Sequence, residues 1–269
     1  VFYNGKEITT KTALSKANIK PLVLQQKEGL SLINGTQVST ALAIKSLLDG
    51  DLLLKTADIA GALSVENSFA SRKVFQKKIH ALKNHPGQQS AASNVYKLLN
   101  GSKIVKSHSN CGIVQDPYSF RCIPHIHGAS RDGFTRAANM IDNEINSVSD
   151  NPIVLENGDI VNSGHFHGEH VAQAMDFLAI SFCELGAVSE RRTHYFMKGA
   201  EGKFHLFVTK SPGVESGYMM AHVTASALVS ENKTLAHPAS VDSLPTSGGL
   251  EDLVSMAPWA GQKLLQIQH

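Results

Sequence analysis

Apolar residues recur at steps of three and four along much of the chain, which is the period of a helix that buries one face. The longest such pattern runs through residues 169–190. Its apolar positions are Val171, Met175, Leu178, Phe182 and Leu185. A stripe of this kind is typical of a helix packed in a bundle. The pattern therefore predicts a mainly α-helical protein built around long helices.

Weaker stripes of the same period predict further helices. These span 10–18, 38–48, 56–78, 90–99, 133–147 and 218–235. The last is rich in Ala, Ser and Thr, and small side chains let helices approach closely, so we expect it deep in the bundle. Two short hairpins are predicted at 2–7 and 153–161, with Asn-Gly pairs as their turns. Together these elements predict one helical domain over residues 1–269 with small β pieces.

Clusters of Gly, Pro and Asn predict where helices are interrupted. The sequence His-Pro-Gly-Gln at 85–88 separates two predicted helices, and Asn34-Gly35 predicts a turn between two apolar stretches. Pro258 is expected to end any helix that runs through 251–253, because proline has no backbone N–H to donate.

Composition narrows the class of protein. The net charge is only +2 over 269 residues, which argues against nucleic acid or an anionic membrane surface as a partner. No uninterrupted apolar stretch approaches the length that spans a bilayer. The three cysteines, Cys111, Cys122 and Cys183, are widely spaced and odd in number, so neither a disulfide framework nor a zinc site is indicated. We therefore expect a cytoplasmic protein.

One short segment, 115–122, concentrates an amide, a phenol and a guanidinium. Asp116-Pro117 disfavours helix and predicts a turn, so Gln115, Tyr118 and Arg121 are expected to lie together on a loop. A guanidinium matches a carboxylate in two parallel hydrogen bonds, and a phenol is a neutral donor. The segment therefore predicts a site for a small acid with a second polar group. A polar turn that caps the next element is the structural alternative.

Two other segments contain reactive side chains. Residues 165–170, His-Phe-His-Gly-Glu-His, could supply metal ligands, but they lack the His-Glu-x-x-His spacing that places two ligands on one helix face. A polar loop with Glu169 at the start of the long helix is favoured over a metal site. Glu251-Asp252 lies between two leucines, and a carboxylate in an apolar setting has a raised pKa and can act as acid or base. A solvated pair, or an ion pair with Arg191 or Arg192, is the alternative.

Taken in chain order, these segments resemble the histidine ammonia-lyases of the aromatic amino-acid lyase family. The resemblance covers almost the whole chain. The matching motifs lie at 27–30, 33–37, 85–88, 115–122, 146–152, 164–169, 230–233, 237–243, 245–247 and 251–256. The resemblance implies a long-helix bundle of the ammonia-lyase type, similar to that of fumarase and aspartase. It also implies the conversion of L-histidine into urocanate and ammonia.

The resemblance assigns roles to the 115–122 segment. Arg121 would bind the substrate carboxylate, and Asn34 would assist it and lie near the electrophile. Tyr118 and Gln115 would line the reacting centre. These assignments make Tyr118 a predicted catalytic residue and the other three predicted substrate-binding residues.

Two further roles fall outside that segment. Phe166 would bind substrate by packing on the electrophile or on the substrate ring. Glu251 would be the second catalytic residue and would face the imidazole or amine of the substrate. A glutamate there, where plant phenylalanine enzymes have glutamine, favours a ring with polar nitrogens. The departures from the family pattern are Leu250 and Leu253 in place of Gln and His, His165 in place of Asn, and His125 in place of Gln.

The electrophile of the family is 4-methylidene-imidazol-5-one (MIO), which forms by cyclisation of an internal Ala-Ser-Gly. This sequence contains no such tripeptide. The similar stretch Gly128-Ala129-Ser130 does not qualify, because Arg131 follows the serine. We therefore expect the chain to be a fragment of a larger ammonia-lyase subunit, inactive alone, with MIO supplied by a segment absent from this sequence.

The remaining expectations concern assembly and alternatives. The helices at 169–190 and 218–235 present more packing faces than one chain of this size can cover, so a homotetramer is predicted. The resemblance implies active sites shared between its subunits. A tyrosine or phenylalanine ammonia-lyase or aminomutase of the same family is the first alternative. A non-catalytic helical oligomerisation module and, more distantly, a metal hydrolase stay open.

Overall fold

A computed structural model describes residues 1–108 and 112–269, so Cys111 lies outside the described residues. The helices are α1 (Thr10–Lys16), α2 (Glu28–Ser31), α3 (Gln37–Asn67), α4 (Lys77–His80), α5 (Pro86–Leu98), α6 (Lys103–Ser107), α7 (Tyr118–Arg121), α8 (Ile123–Ile145), α9 (Glu169–Met197), α10 (Met219–Leu235) and α11 (Ala257–Gln268). The strands are β1 (Phe2–Tyr3), β2 (Lys6–Glu7), β3 (Ile153–Val154) and β4 (Ile160–Val161). The predicted mainly α-helical class is confirmed.

Both predicted hairpins are present. β1 pairs antiparallel with β2, and the turn residues Asn4 and Gly5 have the positive φ angles, 50° and 74°, that a tight hairpin turn requires. β3 pairs antiparallel with β4 across the turn that contains Gly158. The pairing therefore follows from the Asn-Gly turns in the sequence.

The predicted helices at 38–48 and 56–78 are instead one 31-residue helix, α3, which ends at Asn67. Gly50 lies inside this helix, at the point where the helix meets the ring of Phe182. A Cβ at Gly50 would lie 2.5 Å from Cζ of that ring, so only glycine fits. Beyond α3 the chain turns at Phe69, where φ is 58°, and the predicted α-helix over 68–76 is wrong.

Two prolines begin helices rather than ending them. Pro86 opens α5, and the break between α4 and α5 spans residues 81–85, with extended backbone at His85. Pro258 lies in the first turn of α11, and residues 251–253 are not helical. Proline is tolerated in a first helical turn because its missing N–H would have no intrahelical partner there. The prediction that Pro258 ends a helix is wrong for that reason, whereas the predicted break between helices near 85–88 is present in the residues that precede Pro86.

The chain forms two compact units, and the smaller one comprises residues 1–35 and 149–166. Within it, Lys27 and Ser31 both bond to the carboxylate of Asp150, with Ser31 Oγ 2.8 Å from Oδ2. These contacts join the two segments of the smaller unit. The expectation of a single helical domain stays a prediction.

The larger unit comprises residues 36–148 and 167–269 and contains two hydrophobic clusters. The first is built from α3, α8, α9 and α11. The α9 residues Val171, Met175 and Leu178 lie in it and are fully buried, as the apolar stripe predicts. The second surrounds Phe120, and its other large members are Val65, Phe75, Val95, Leu99, Ile123 and Tyr195.

The small-residue helix α10 buries only Val229 among its 17 residues. Its expected position deep in the bundle is therefore wrong for this chain. Ala, Ser and Thr permit close approach, but they supply little apolar area to favour burial.

Among the described residues, α9 alone is long and apolar enough to span a membrane, with a mean hydropathy of 1.4 over an 18-residue window. The prediction concerned uninterrupted apolar runs and is not contradicted, because polar residues interrupt this window. Of that window, 61% is buried inside the structure, which is typical of the core helix of a bundle.

Candidate functional site

The 115–122 segment forms one helical turn, α7, that begins after Pro117. Oε1 of Gln115 accepts a hydrogen bond from Nη2 of Arg121 at 2.9 Å. The guanidinium carbon of Arg121 lies 4.7 Å from the centre of the Tyr118 ring. Tyr118 is 71% exposed. The structure thus brings the three residues together as predicted, on a turn of helix rather than an irregular loop, while their roles stay predictions.

Phe120 and Asp116 anchor this turn to the rest of the larger unit. Phe120 is buried and packs edge-on against Tyr195 and Phe196, with ring centroids 4.9 and 6.3 Å away. Oδ2 of Asp116 accepts a hydrogen bond from the Ser71 N–H at 2.8 Å. An apolar anchor on one side of the turn therefore leaves the polar side chains of the other side free to meet a ligand.

A cavity of about 380 Å³ adjoins the turn. Gln115, Asp116 and Arg121 line it together with Lys73 and His108. Nε of Arg121 is buried and has no hydrogen-bond partner among the described residues. A buried donor without an acceptor is costly, so this N–H favours an anionic group in the cavity. The volume is within the range of small-molecule sites.

Glu251 is exposed and is held by its own loop. Its Oε2 accepts hydrogen bonds from the hydroxyls of Thr246 and Ser247 at 2.8 and 2.6 Å. The hydrogen bond from Ser247, followed by that from Thr246, lowers the pKa of Glu251. The expected raised pKa is therefore wrong. The reason is that Leu250 and Leu253 are 89% and 65% exposed and give the carboxylate no apolar enclosure.

The suggested ion pair between Glu251 and an arginine is also wrong. Arg191 pairs with Glu190, and Arg192 donates to the Ser119 carbonyl. Within the part of the chain that the structure describes, no hydrogen bond or ion pair joins Glu251 to the 115–122 turn. Its proposed place beside the same substrate stays a prediction.

Asn34 and Phe166 belong to the smaller unit. Asn34 is exposed in the turn after α2, and its N–H donates to the Leu30 carbonyl at 2.9 Å, which confirms the predicted turn. Phe166 is 41% exposed at the end of the 149–166 segment. Because Asp150 bonds to residues at both ends of α2, it ties the turn of Asn34 to the segment that carries Phe166.

Two histidines of the 165–170 segment have polar partners within the protein. Nδ1 of His165 lies 3.1 Å from Ser163 Oγ, and Nε2 of His167 lies 3.2 Å from the Leu253 carbonyl oxygen. Glu169 begins α9, the position at which the helix dipole favours a carboxylate. Within residues 1–108 and 112–269, no three His, Cys, Asp or Glu side chains are grouped so as to hold a metal ion.

Sequence reasoning missed a buried polar cluster between α3, α5 and α8. Nδ1 of His127 lies 2.9 Å from Oδ1 of Asp58. Oδ2 of the same carboxylate accepts from Arg131 Nη2 at 2.5 Å and from Asn94 at 2.8 Å. The sequence carries no local sign of this cluster, because the buried face of α3 consists mainly of small and polar residues, among them Ser39, Ser46 and Asp58.

The charges of this cluster are set by its contacts. Burial acts to raise the pKa of Asp58, but hydrogen bonds from His127 and Asn94 and the charge of Arg131 bring it below its ordinary value. Burial lowers the pKa of His127, and the charges of Arg192 and Arg131 lower it further against the opposing effect of Asp58. A neutral imidazole therefore donates from Nδ1 to an ionised carboxylate, and its buried Nε2 has no partner among the described residues.

Comparison with known families settles where this arrangement belongs. The sequence model of the aromatic amino acid lyases matches residues 1–269. The chain belongs to the aromatic amino acid lyase family. The histidine ammonia-lyase of Burkholderia multivorans is 50% identical to this lyase chain over 268 residues, which cover 99% of the chain and 53% of the relative. The chain thus spans about half the length of the curated relatives it matches.

Solved structures show the same fold. The histidine ammonia-lyase from Trypanosoma cruzi superposes on 96% of this lyase chain and 48% of its own, with TM-score 0.84 and 37% identity. A tyrosine aminomutase from Streptomyces globisporus superposes on 99% and 54%, with TM-score 0.88 and 32% identity. The expected ammonia-lyase type of helical bundle is confirmed.

Proposed function

We propose that the complete protein containing this chain is a histidine ammonia-lyase, a carbon–nitrogen lyase that eliminates ammonia from L-histidine to give urocanate. The observation that carries the proposal is the 50% identity to the Burkholderia multivorans histidine ammonia-lyase over 99% of the chain. The grouping of Gln115, Tyr118 and Arg121 beside a cavity supports it, since amino-acid recognition needs a carboxylate site next to a group that handles protons.

In this proposal Arg121 binds the substrate carboxylate. Gln115 occupies Nη2 of the guanidinium and limits its rotation, so the remaining N–H groups are held ready for a carboxylate. Tyr118 contacts the same guanidinium through its ring and keeps an exposed hydroxyl, which can donate or accept a proton at the reacting centre.

Glu251 acts on the other end of the substrate in this proposal. Its lowered pKa keeps it ionised at neutral pH, so it accepts hydrogen bonds and attracts positive charge. An imidazole N–H or an ammonium group satisfies such a carboxylate, whereas a hydrocarbon ring leaves it unpaired. The ionised state of Glu251 therefore favours histidine over phenylalanine.

The β-hydrogen of an amino acid is barely acidic, so the reaction needs an electrophile. MIO, when formed, supplies that electrophile to the enzymes of this type. The exposed polar groups of the 115–122 turn and the cavity of about 380 Å³ fit a substrate held against such a group. Because the sequence has no Ala-Ser-Gly, the tripeptide in this proposal lies outside these 269 residues. Asn34 is proposed to lie near the electrophile, and Phe166 to pack on it or on the substrate ring. Gln115 and Tyr118 are proposed to line the reacting centre.

The protein is also proposed to be a homotetramer with shared active sites, located in the cytoplasm. Exposed apolar side chains on α3 and α10 support this, because further copies of the chain would cover them. They are Val38, Leu48, Leu52, Ile59, Leu63, Met220, Val223 and Leu228. Light scattering on the complete protein at micromolar concentration tests the assembly, and a monomer would contradict it.

A tyrosine aminomutase is the second candidate function, because such an enzyme from Streptomyces globisporus shares the fold with TM-score 0.88. The two are separated by incubating the complete protein with L-histidine, L-tyrosine and L-phenylalanine. We expect the absorbance of urocanate to appear with L-histidine and no product to form from L-tyrosine or L-phenylalanine. A β-amino acid formed from tyrosine would favour the aminomutase. If no substrate is consumed and the intact mass of the complete protein shows no dehydration of the kind that forms MIO, the protein is a non-catalytic helical module.

A further inference from the structure

Arg192, on α9, is a buried cation to which the described residues supply no carboxylate partner. The residue is 3% exposed. Among the described residues its guanidinium makes one hydrogen bond, to the Ser119 carbonyl, and at 3.4 Å this bond is long. Burial lowers the pKa of Arg192 to about 10, and no nearby negative charge opposes that effect. The side chain is therefore still charged at neutral pH, and burying an unpaired charge is unfavourable.

The neighbouring buried cluster does not supply the missing negative charge. The Asp58 carboxylate is paired with Arg131. His127 is the member of this cluster whose pKa is lowered by burial and by the charge of Arg192. Its imidazole is neutral at neutral pH and supplies no negative charge. Arg131 is thus balanced by Asp58, whereas no described carboxylate is paired with Arg192.

A cavity of about 200 Å³ lies beside Arg192, enclosed by α3, α9, α10 and α11. Ser189 and Asn232 add polar groups to its lining, and Phe182, Leu185 and Ile267 supply apolar walls. It shares no lining residue with the cavity at Arg121. A charged end and an apolar end within one small cavity call for a ligand with the same two ends.

We propose that this cavity binds a small monocarboxylate, with its carboxylate on the Arg192 guanidinium and its short hydrocarbon chain against Phe182, Leu185 and Ile267. The planar guanidinium matches a carboxylate in two parallel hydrogen bonds. A simple inorganic anion would balance the charge but leave the apolar walls without contact, and a dianion would exceed the single charge to be balanced. The proposal does not depend on the ammonia-lyase activity, because binding rather than turnover tests it.

The first test is calorimetric titration of the complete protein with sodium butyrate, with butyramide as the neutral ligand of similar shape. Butyramide should bind about tenfold or more weakly, which is the ratio expected when a charge-assisted hydrogen bond is lost. Equal binding of the two ligands would overturn the proposal. Crystals soaked in butyrate, and separately in bromide for its anomalous signal, should show the anion at Arg192. Water alone at that position, or a carboxylate from a second copy of the chain, would also overturn it.

Matched variants locate the binding. Ala60→Leu fills part of the cavity while leaving Arg192 intact, so butyrate affinity should fall about tenfold or more. Arg191→Met removes a cation whose side chain is 63% exposed on the same helix and should leave affinity within about twofold. Arg121→Lys should also preserve butyrate binding, and its loss there would assign the ligand to the other cavity. If Ala60→Leu fails to fold, the titration and the soaked crystals still decide.

Discussion

Nη2 of Arg121 donates a hydrogen bond to Oε1 of Gln115 at 2.9 Å. The partner is a neutral amide, so it orients the guanidinium without neutralising it. The positive charge is thereby left for a ligand, and part of the side-chain entropy that binding would otherwise remove is already lost in the folded protein. This contact gives the first two predictions.

Arg121→Lys should lower kcat/KM for L-histidine roughly 10- to 1,000-fold, because a point charge cannot reproduce two parallel hydrogen bonds worth about 1.5–3 kcal/mol. The fold should survive, since Arg121 is in neither hydrophobic cluster. Steady-state urocanate formation by the complete protein measures the effect, with thermal unfolding as the control. Near-normal kcat/KM would place the carboxylate site elsewhere, and unfolding would make Arg121 a structural residue.

Gln115→Glu should raise KM for L-histidine about tenfold with a smaller effect on kcat, because an acidic partner would compete with the substrate for the guanidinium. Gln115→Leu is the matched variant. It removes the orienting acceptor without adding charge and should lower kcat and kcat/KM together. Initial rates over a range of histidine concentrations separate the two effects. If the glutamate variant leaves KM unchanged, Arg121 does not bind the substrate carboxylate.

The hydroxyl of Ser247 is the largest cause of the lowered pKa of Glu251. Ser247→Ala should raise that pKa towards its ordinary value, so the acid limb of the kcat/KM profile for histidine should move to higher pH. Glu251→Gln should abolish that limb and should impair histidine more than a substrate with a hydrocarbon ring. The pH profile of urocanate formation tests both. An acid limb that stays unchanged in Glu251→Gln would exclude this carboxylate as its origin.

His127 should make the folded state sensitive to acid. Its pKa in the folded protein lies below the ordinary value of 6.5, so the unfolded chain takes up the proton first as the pH falls. The stabilising contribution of the neutral imidazole is fully present above about pH 6.5 and is lost as the pH falls through the folded pKa. His127→Leu should reduce the drop in thermal midpoint between about pH 7 and about pH 5. His165→Leu, at an exposed position, is the control and should leave the drop as it is in the natural chain.

The local sequence pattern was sufficient to predict which face of a helix is buried where the residues of that helix alone determine the face. The stripe of α9 predicted the buried face, because Val171, Met175 and Leu178 all project to one side of the helix. It was insufficient at Gly50, where the missing side chain leaves room for the ring of Phe182 far along the chain. A glycine in a helix is unfavourable by itself, and only the packed neighbour explains its presence.

The same distinction holds for the candidate site. Gln115, Tyr118 and Arg121 could be grouped from sequence because seven consecutive positions and one proline confine them. The environment of Glu251 could not be predicted from sequence, because distant segments determine whether the flanking leucines enclose the carboxylate. The pairing of Asp58 with His127, 69 residues apart, likewise requires α3 to lie against α8, and no local pattern reports that.

The discontinuity of the smaller unit has a consequence for the order of folding. Its two segments are separated by residues 36–148, and joining them from an open chain would carry the entropy loss of closing a long loop. Within the larger unit, however, Thr36 Oγ1 donates to Glu144 Oε1 at 2.5 Å, close to both points where the chain passes between units. We therefore expect the packing of α3 against α8 to close that loop first and the smaller unit to assemble afterwards. In pulse-labelled hydrogen exchange during refolding, amides of α3 and α8 should gain protection before those of β3 and β4, and the reverse order would refute this sequence of events.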